Sequence, residues 1–164
     1  MPVVSNTSPI LNLAIIDRLT LLRDQFGLVL IPPAVLRELR TDEDLPGTNC
    51  ISEAIDDGWI RIVEIEDLAL VKLLQRELDY GESEAIALAL QIKAERILMD
   101  EREGRKLAKS LGLTTTGVLG ILLRARRSQK ITSMKAVMDE LKTRAGFRIS
   151  ASLYDELLRQ EETL

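Results

Sequence analysis

The sequence predicts an α/β fold in which a mostly parallel sheet is covered by helices on both faces. Short apolar runs that are typical of buried strands alternate with longer helical patterns along the chain. Most of these runs are continuous, as expected when both faces of a parallel sheet are buried. No linker, repeat or low-complexity tract interrupts the 164 residues, so we expect a single domain over residues 1–164.

Five segments are expected to form the strands. The first, second and fourth are short runs of apolar side chains, and the fifth is a run of threonines. The third alternates apolar and polar residues, which favours an edge strand. The predicted strands are Val3–Val4, Leu28–Ile31, Ile60–Val63, Ile97–Met99 and Thr114–Thr116.

Helices are expected in the intervals between strands. Ser8 is predicted to cap the first helix with Pro9 at its first position, and Asp17 to cap a further turn. The helix that Gly81 opens is apolar on nearly every side, so it should be buried. Thr116 is predicted to cap a later helix. Further helices are expected after Pro33, over Ile51–Asp57 and Asp67–Leu78, up to about Leu111, from Ser133 to Gly146, and from Ser150 to Leu158.

The residue types that the chain lacks narrow its chemistry. It has no histidine and one cysteine, Cys50. This excludes Ser-His-Asp and Cys-His catalysis, histidine metal sites, an internal disulfide and multi-cysteine zinc sites. No glycine-rich phosphate-binding motif occurs. An enzyme of this composition would work with carboxylates, hydroxyls, lysines and arginines, and carboxylate chemistry without histidine favours hard metal ions.

Cysteine use and hydropathy also predict where the protein works. A lone cysteine is typical of a reducing compartment. No apolar run approaches the roughly 20 residues that a membrane span needs. The first residues lack the basic and then apolar pattern of a secretory signal. We therefore expect a cytoplasmic protein with no membrane partner.

Four oxygen-bearing side chains are expected to converge at one edge of the sheet. Asn6 follows the first strand and Asp100 follows the fourth, so both open into one crevice if these strands are neighbours. Glu38 lies on the helix after the second strand, and Glu82 lies in the first turn of the buried helix. Oxygen ligands on separate elements suit Mg²⁺, and such an ion supports phosphodiester hydrolysis.

Each acid also has an ordinary structural explanation. A carboxylate at the position of Glu82 is favoured by the helix dipole, Glu38 fits a solvated helix face, and Asp100 fits a helix cap. Only the combination of the four residues supports a metal site. The other acids nearby are expected to be surface charge: Asp79, Glu84, Glu101, Glu103 and the run Asp42–Asp44.

Six segments, in this order and spacing, resemble the PIN domain. The similarity is to the VapC-type toxin nucleases of prokaryotic toxin–antitoxin pairs, and more narrowly to an uncharacterised prokaryotic subgroup. The segments are Val3–Ile10, Ile31–Leu39, Gly81–Ala89, Ile97–Arg102, Gly104–Leu113 and Gly146–Ser150.

The resemblance implies a PIN-like three-layer α/β/α domain with about five parallel strands and an acidic pocket that binds Mg²⁺ or Mn²⁺. It implies endonuclease activity on RNA, an antitoxin protein as partner and a homodimer. Glu84 is the alternative to Glu82, and the family's hydroxyl beside the position of Asn6 falls on Thr7 or Ser8. The positions that match the family's catalytic and metal-binding residues are Asn6, Glu38, Glu82 and Asp100.

Two of these positions depart from the family pattern. PIN domains often carry Asp where this chain has Glu82, whose longer side chain can still reach a metal, and they usually carry Asp where it has Asn6. An amide oxygen still ligates a hard cation, but it adds no charge and cannot act as a base. Two interpretations therefore stay open: an active ribonuclease, or a weakened or inactive scaffold that binds RNA or a partner protein. A response-regulator receiver is the least supported alternative, because receivers need paired acids after the first strand.

The charge distribution bears on RNA binding. The net charge of −4 argues against binding through bulk electrostatics. However, Arg102–Lys135 contains nine basic residues and one acid, Glu103, which leaves −12 on the rest of the chain. Phosphate contact and simple complementarity to a helix C-terminus both explain this segment.

Overall fold

The computed structural model describes residues 2–164, and its strands form a five-stranded, all-parallel sheet. The five predicted strands are confirmed, and the third lies at an edge as its alternating pattern predicts. The strand order is β3-β2-β1-β4-β5. The strands are β1 (Val3–Ser5), β2 (Val29–Ile31), β3 (Ile60–Ile62), β4 (Ile97–Leu98) and β5 (Thr115–Thr116).

Helices pack on both faces of the sheet, which confirms the three-layer α/β/α architecture. No helix within residues 2–164 combines the length and the apolar character needed to cross a membrane. The helices are α1 (Thr7–Ile15), α2 (Thr20–Phe26), α3 (Pro33–Leu39), α4 (Thr48–Asp56), α5 (Leu68–Leu74), α6 (Tyr80–Gln91), α7 (Arg102–Ser110), α8 (Val118–Arg127), α9 (Met134–Arg144) and α10 (Ala151–Glu162).

Two hydrophobic cores lie on opposite faces of the sheet, because successive strand residues point to opposite sides. In β1, Val3 packs with residues of α1, α2, α8 and α9, and Val4 packs with residues of α5, α6 and α7. In β4, Ile97 and Leu98 divide between the two cores in the same way. The continuous apolar runs of the strands follow from this double burial.

The chain changes direction across the sheet between β1 and β4. From β1 it proceeds through β2 to β3 on one side, and β4 then returns to the other side of β1. Ser5 is in register with Leu98, and the backbone N–H of Asn6 donates to the carbonyl of Leu98 at 2.9 Å. In open parallel sheets, ligands bind in the crevice beyond the strand ends at such a switch point.

Two predicted helix caps are wrong for the same reason. Helix α1 begins at Thr7 with Asn6 as its N-cap, because the Ser8 hydroxyl donates to Asp100 Oδ2 at 3.2 Å instead of capping the helix. Helix α8 follows Gly117, not Thr116. Its Val118 N–H donates to Asp100 Oδ1 at 2.9 Å, so a distant carboxylate serves as the cap.

Asp17 also fails to cap a helix, since it adopts a left-handed backbone conformation with φ of 59° and α2 begins only at Thr20. Its carboxylate forms an ion pair with Arg144 at 2.9 Å. The predicted caps at Ser133 and Ser150 are confirmed, because each hydroxyl accepts a backbone N–H from the first turn.

Glu84 ties α6 to the start of α3, which corrects its assignment to surface charge. Its side chain is buried, and Oε1 accepts the backbone N–H of Ala34 at 2.9 Å. A carboxylate at this helix start is favoured by the dipole and by the free N–H groups there. The contact holds α6, which carries Glu82, against α3, which carries Glu38.

Replacing Glu84 with Ala should lower the free energy of unfolding by about 2 kcal/mol, because the buried N–H of Ala34 loses its acceptor. Urea unfolding followed by circular dichroism measures this loss. Glu53→Ala, at an exposed position on α4, is the control and should change stability by less than about 0.5 kcal/mol. Equal small effects of both variants would show that the Glu84 contact does not stabilise the fold.

Candidate active site

Three consecutive polar side chains in the β1–α1 turn each contact a different acid that is distant from the turn in sequence. Asn6 Nδ2 donates to Glu101 Oε2 at 3.1 Å, and Ser8 Oγ donates to Asp100 Oδ2 at 3.2 Å. The hydroxyl of Thr7 donates to the carboxylate of Glu38. The turn therefore gathers one acid from α3 and two consecutive acids from the connection between β4 and α7. The partners of Asn6, Thr7 and Ser8 are, in order, Glu101, Glu38 and Asp100.

Asp100 is the most firmly held of these acids. It accepts from the Val118 N–H and from Ser8, whose own oxygen accepts from Asn12 Nδ2 at 3.0 Å. Burial raises the pKa of Asp100 above its ordinary value, and the nearby charge of Glu101 acts in the same direction. The two hydrogen bonds to its oxygens partly oppose this rise in the pKa.

Glu82 lies in the first turn of α6, as predicted, and is only 7% exposed. Its backbone N–H donates to Asp79 Oδ1 at 2.8 Å, so Asp79 caps the helix and is more than surface charge. Burial raises the pKa of Glu82 to about 8, and the neighbouring carboxylates of Asp79 and Glu101 add to the rise. Glu82 therefore holds a proton near neutral pH unless a cation compensates its charge.

Asn6 leaves a buried oxygen without a donor. Its Nδ2 faces the carboxylate of Glu101, which fixes the orientation of the amide because an ionised carboxylate only accepts. The opposite atom, Oδ1, is buried and has no hydrogen-bond partner. A buried acceptor left unpaired costs about 1–3 kcal/mol, so this oxygen suits a bound cation.

Each carboxylate of the predicted set lies against a glycine that leaves room for it. A Cβ on Gly81 would come within 2.6 Å of Glu38 Oε1, and one on Gly104 within 2.6 Å of Glu82 Oε2. A Cβ on Gly117 would come within 2.7 Å of Asp100 Oδ1. All three glycines lie at or near helix N-termini, where backbone dipoles favour negative charge.

The acids do not form a ready-made cluster. Within residues 2–164, no three His, Cys, Asp or Glu side chains are grouped so that they could hold a metal ion. Glu38 is exposed and borders a depression with Arg37 and Tyr80, whereas Asp100 borders a cleft lined by arginines. The assignment of Asn6, Glu38, Glu82 and Asp100 as metal ligands stays a prediction.

Glu101 is the residue of this region that the sequence analysis missed. It was assigned to surface charge, yet it accepts the hydrogen bond from Asn6 and raises the pKa of both Glu82 and Asp100. The one local signal was its position directly after Asp100 at the end of β4. Its contact with Asn6 spans 95 residues and depends on the pairing of β1 with β4.

A sequence model of the PIN domain matches residues 2–163, so the chain belongs to the PIN-domain family. This confirms the family that the sequence resembles. PIN domains generally use divalent metal ions, and the family is associated with nuclease function and RNA binding. No curated protein matches the chain.

The buried proton of Glu82 should make stability depend on pH. Because the pKa in the folded protein lies near 8 and the ordinary value is 4.5, the folded state binds more protons between these limits. The stabilisation is complete below the ordinary pKa and is lost as pH rises to about 8. We expect Glu82→Gln to remove this loss. Urea unfolding of both proteins across the window, in metal-free buffer, tests it, and parallel stability curves would contradict the assignment.

Alanine at Gly117 or Gly81 should displace a carboxylate without unfolding the protein, because the atoms that must move are the ends of side chains. We expect Mn²⁺ affinity to fall by about tenfold or more, as is typical when groups that orient metal ligands are disturbed. Calorimetric Mn²⁺ titration and thermal unfolding measure the two effects. Gly120→Ala, within α8, is the control and should leave metal affinity unchanged. Wild-type affinity in both test variants would contradict the role of these glycines.

Proposed function

We propose that the protein is a metal-dependent endoribonuclease that hydrolyses RNA phosphodiester bonds with Mg²⁺ or Mn²⁺. Membership of the PIN-domain family supports this proposal. The observation that carries it is the β1–α1 turn, whose three consecutive side chains hydrogen-bond three acids at the switch point of the sheet. This is the crevice in which parallel α/β sheets bind their ligands.

The proposed ligands are Asn6, Glu38, Glu82 and Asp100. Their donor atoms are hard oxygens, which Mg²⁺ and Mn²⁺ prefer. The unpaired Oδ1 of Asn6 and the buried carboxyl of Glu82 both gain from a nearby cation. Within residues 2–164 the carboxylates are not grouped in threes, and we propose that the amide oxygen of Asn6 completes the ligand set.

The chain's own groups prepare this chemistry. A divalent ion, when bound, neutralises phosphate charge and makes water a stronger nucleophile. Val118 and Ser8 fix the orientation of Asp100, and Thr7 restrains Glu38. Burial keeps the proton on Glu82 until a cation offsets its charge, which limits the repulsion between acids in the free protein.

The alternative is a weakened or inactive PIN scaffold that binds RNA or a partner protein. Asn6 is the observation that favours it, because a neutral amide stands where PIN domains usually carry an acid. The hydrogen bond from Asn6 to Glu101 gives the amide a structural use that a carboxylate would not have. In this alternative the pocket binds metal weakly and leaves RNA intact.

We further propose a toxin role in a prokaryotic toxin–antitoxin pair, with an antitoxin protein or a second copy of the chain as partner. The exposed leucines of α5 offer a surface for such a partner, since Leu68 is 63% exposed and Leu73 is 57% exposed. Exposed apolar side chains are among those that a protein partner can cover. An antitoxin gene beside this one would support the toxin role.

Cleavage of a mixed-sequence RNA in Mn²⁺ tests the proposal. We expect products from the wild type, none in EDTA, and none from Asp100→Asn, because that variant loses a metal-binding charge without losing volume. Asp24→Asn, at an exposed position on α2, is the matched control and should retain full activity.

Asn6→Asp distinguishes the two interpretations. It adds a negative charge to the metal site but places a carboxylate near Glu101, so it should destabilise the free protein and tighten Mn²⁺ binding. If the wild type cleaves RNA and Asn6→Asp cleaves it faster, the ribonuclease proposal holds. If only Asn6→Asp cleaves RNA, the natural protein is a silenced scaffold.

A further inference from the structure

Two consecutive acids between β4 and α7 contact the β1–α1 turn, but only one of them belongs to the proposed ligand set. Asp100 accepts from the Ser8 hydroxyl, and Glu101 accepts from Asn6 Nδ2 at 3.1 Å. The second contact joins residues that are 95 positions apart, and it depends on the pairing of β1 with β4. The function of the Glu101 carboxylate is therefore a separate question from that of Asp100.

The ordinary roles of an acid at a helix start do not account for Glu101. It is the N-cap residue of α7, yet its side chain accepts no N–H group from that helix. Within residues 2–164 its carboxylate forms no ion pair with a lysine or arginine. The helix dipole favours a negative charge at this position, but it does not require a hydrogen bond to Asn6. The carboxylate of Glu101 is thus not neutralised by a cationic side chain, and it contacts the turn.

Glu101 acts on one end of a buried amide whose other end is free. Asn6 is only 3% exposed, its Nδ2 donates to Glu101, and its Oδ1 has no hydrogen-bond partner. A negatively charged acceptor at Nδ2 polarises the amide and increases the negative charge on Oδ1. Carboxylates placed behind a metal-binding group in this way hold its orientation and raise its basicity. Glu101 therefore makes Asn6 Oδ1 a better ligand for a hard cation than an isolated amide oxygen.

The charge of Glu101 also lies close to two of the proposed ligands. Gly104 is in the first turn of α7, and a Cβ there would come within 2.6 Å of Glu82 Oε2. The helix that begins beside Glu101 is therefore packed against Glu82. Burial is the main cause of the raised pKa of Glu82 and of Asp100, and the charge of Glu101 adds to the rise of the pKa in both. A divalent cation near these acids would be attracted by the same charge.

We propose that Glu101 is a positioning residue of the metal site. It orients the amide of Asn6 so that Oδ1 stays free for a divalent cation, and it supplies the negative charge that Asn6 itself lacks. The inference rests on the proposed function and deepens it, because it states how a PIN domain with an amide after its first strand keeps the charge of its site. In this chain that charge lies on Glu101, behind the amide.

Calorimetric titration of the metal-free proteins with Mn²⁺ tests the inference, because it measures binding without RNA. Glu101→Gln keeps an oxygen that can accept from Asn6 Nδ2, so it removes the charge and preserves the hydrogen bond. The exchange variant, Asn6→Asp with Glu101→Gln, swaps the two side-chain types and restores the charge. Glu103→Gln is the matched control, since it removes the same charge from an exposed position in the first turn of the same helix.

We expect Glu101→Gln to lower Mn²⁺ affinity by about tenfold or more, as is typical when a partner that orients a metal ligand is disturbed. The control should keep wild-type affinity, and the exchange variant should recover most of the loss. Thermal unfolding in EDTA gives a second readout. Asn6→Asp alone should unfold at a lower temperature than the wild type, because its carboxylate faces that of Glu101, and adding Glu101→Gln should reverse this shift.

Wild-type Mn²⁺ affinity in Glu101→Gln, an equal loss of affinity in Glu103→Gln, or no recovery in the exchange variant would overturn the inference. The proposed function fails separately. If the affinities behave as expected but the wild type leaves RNA intact in Mn²⁺, the ribonuclease proposal fails and the role of Glu101 stands. If the wild type cleaves RNA while Glu101→Gln binds Mn²⁺ as tightly as the wild type, the role of Glu101 fails and the ribonuclease proposal stands.

Discussion

The β1–α1 turn has to bring three polar side chains out of a strand that is buried between two hydrophobic cores. Asn6 is buried and Thr7 and Ser8 are half-buried, so their polar groups need partners, which are Glu38 on α3 and the consecutive acids Asp100 and Glu101 between β4 and α7. The dependence is mutual. The turn's donor groups find their acceptors in the acids, and the acids are held in place by the turn. Asp100 extends the same arrangement by capping α8.

This arrangement contains buried acids and an unpaired buried oxygen that a bound cation would stabilise. Burial raises the pKa of Glu82 and of Asp100, and Asn6 Oδ1 has no donor. Both features reduce stability, and a divalent ion would relieve both. Strongly perturbed acids in a crevice are typical of functional sites. The three glycines that make room for the carboxylates fit this interpretation, since larger residues there would push the acids away.

The sequence predicted the strands and the crevice better than it predicted the contacts within the crevice. Apolar runs identify buried strands because burial on both faces leaves a local signal. The caps at Ser8 and Thr116 were wrong because Asp100, far away in sequence, competes for the same groups. One sequence feature indicated the structural role of Glu84: it is a charged residue within an apolar helix, and a buried charge requires a partner. For Glu101 the only such feature was its position next to Asp100, because its contact with Asn6 depends on the pairing of β1 with β4.

The most direct test of the account is the anomalous diffraction of Mn²⁺ in crystals of the wild-type protein. The account predicts a single manganese peak in the crevice between β1 and β4, within about 2.0–2.6 Å of Asn6 Oδ1 and of a carboxylate oxygen of Asp100. A peak at a distant surface carboxylate, or none at saturating Mn²⁺, would contradict the claim that the β1–α1 turn builds a metal site.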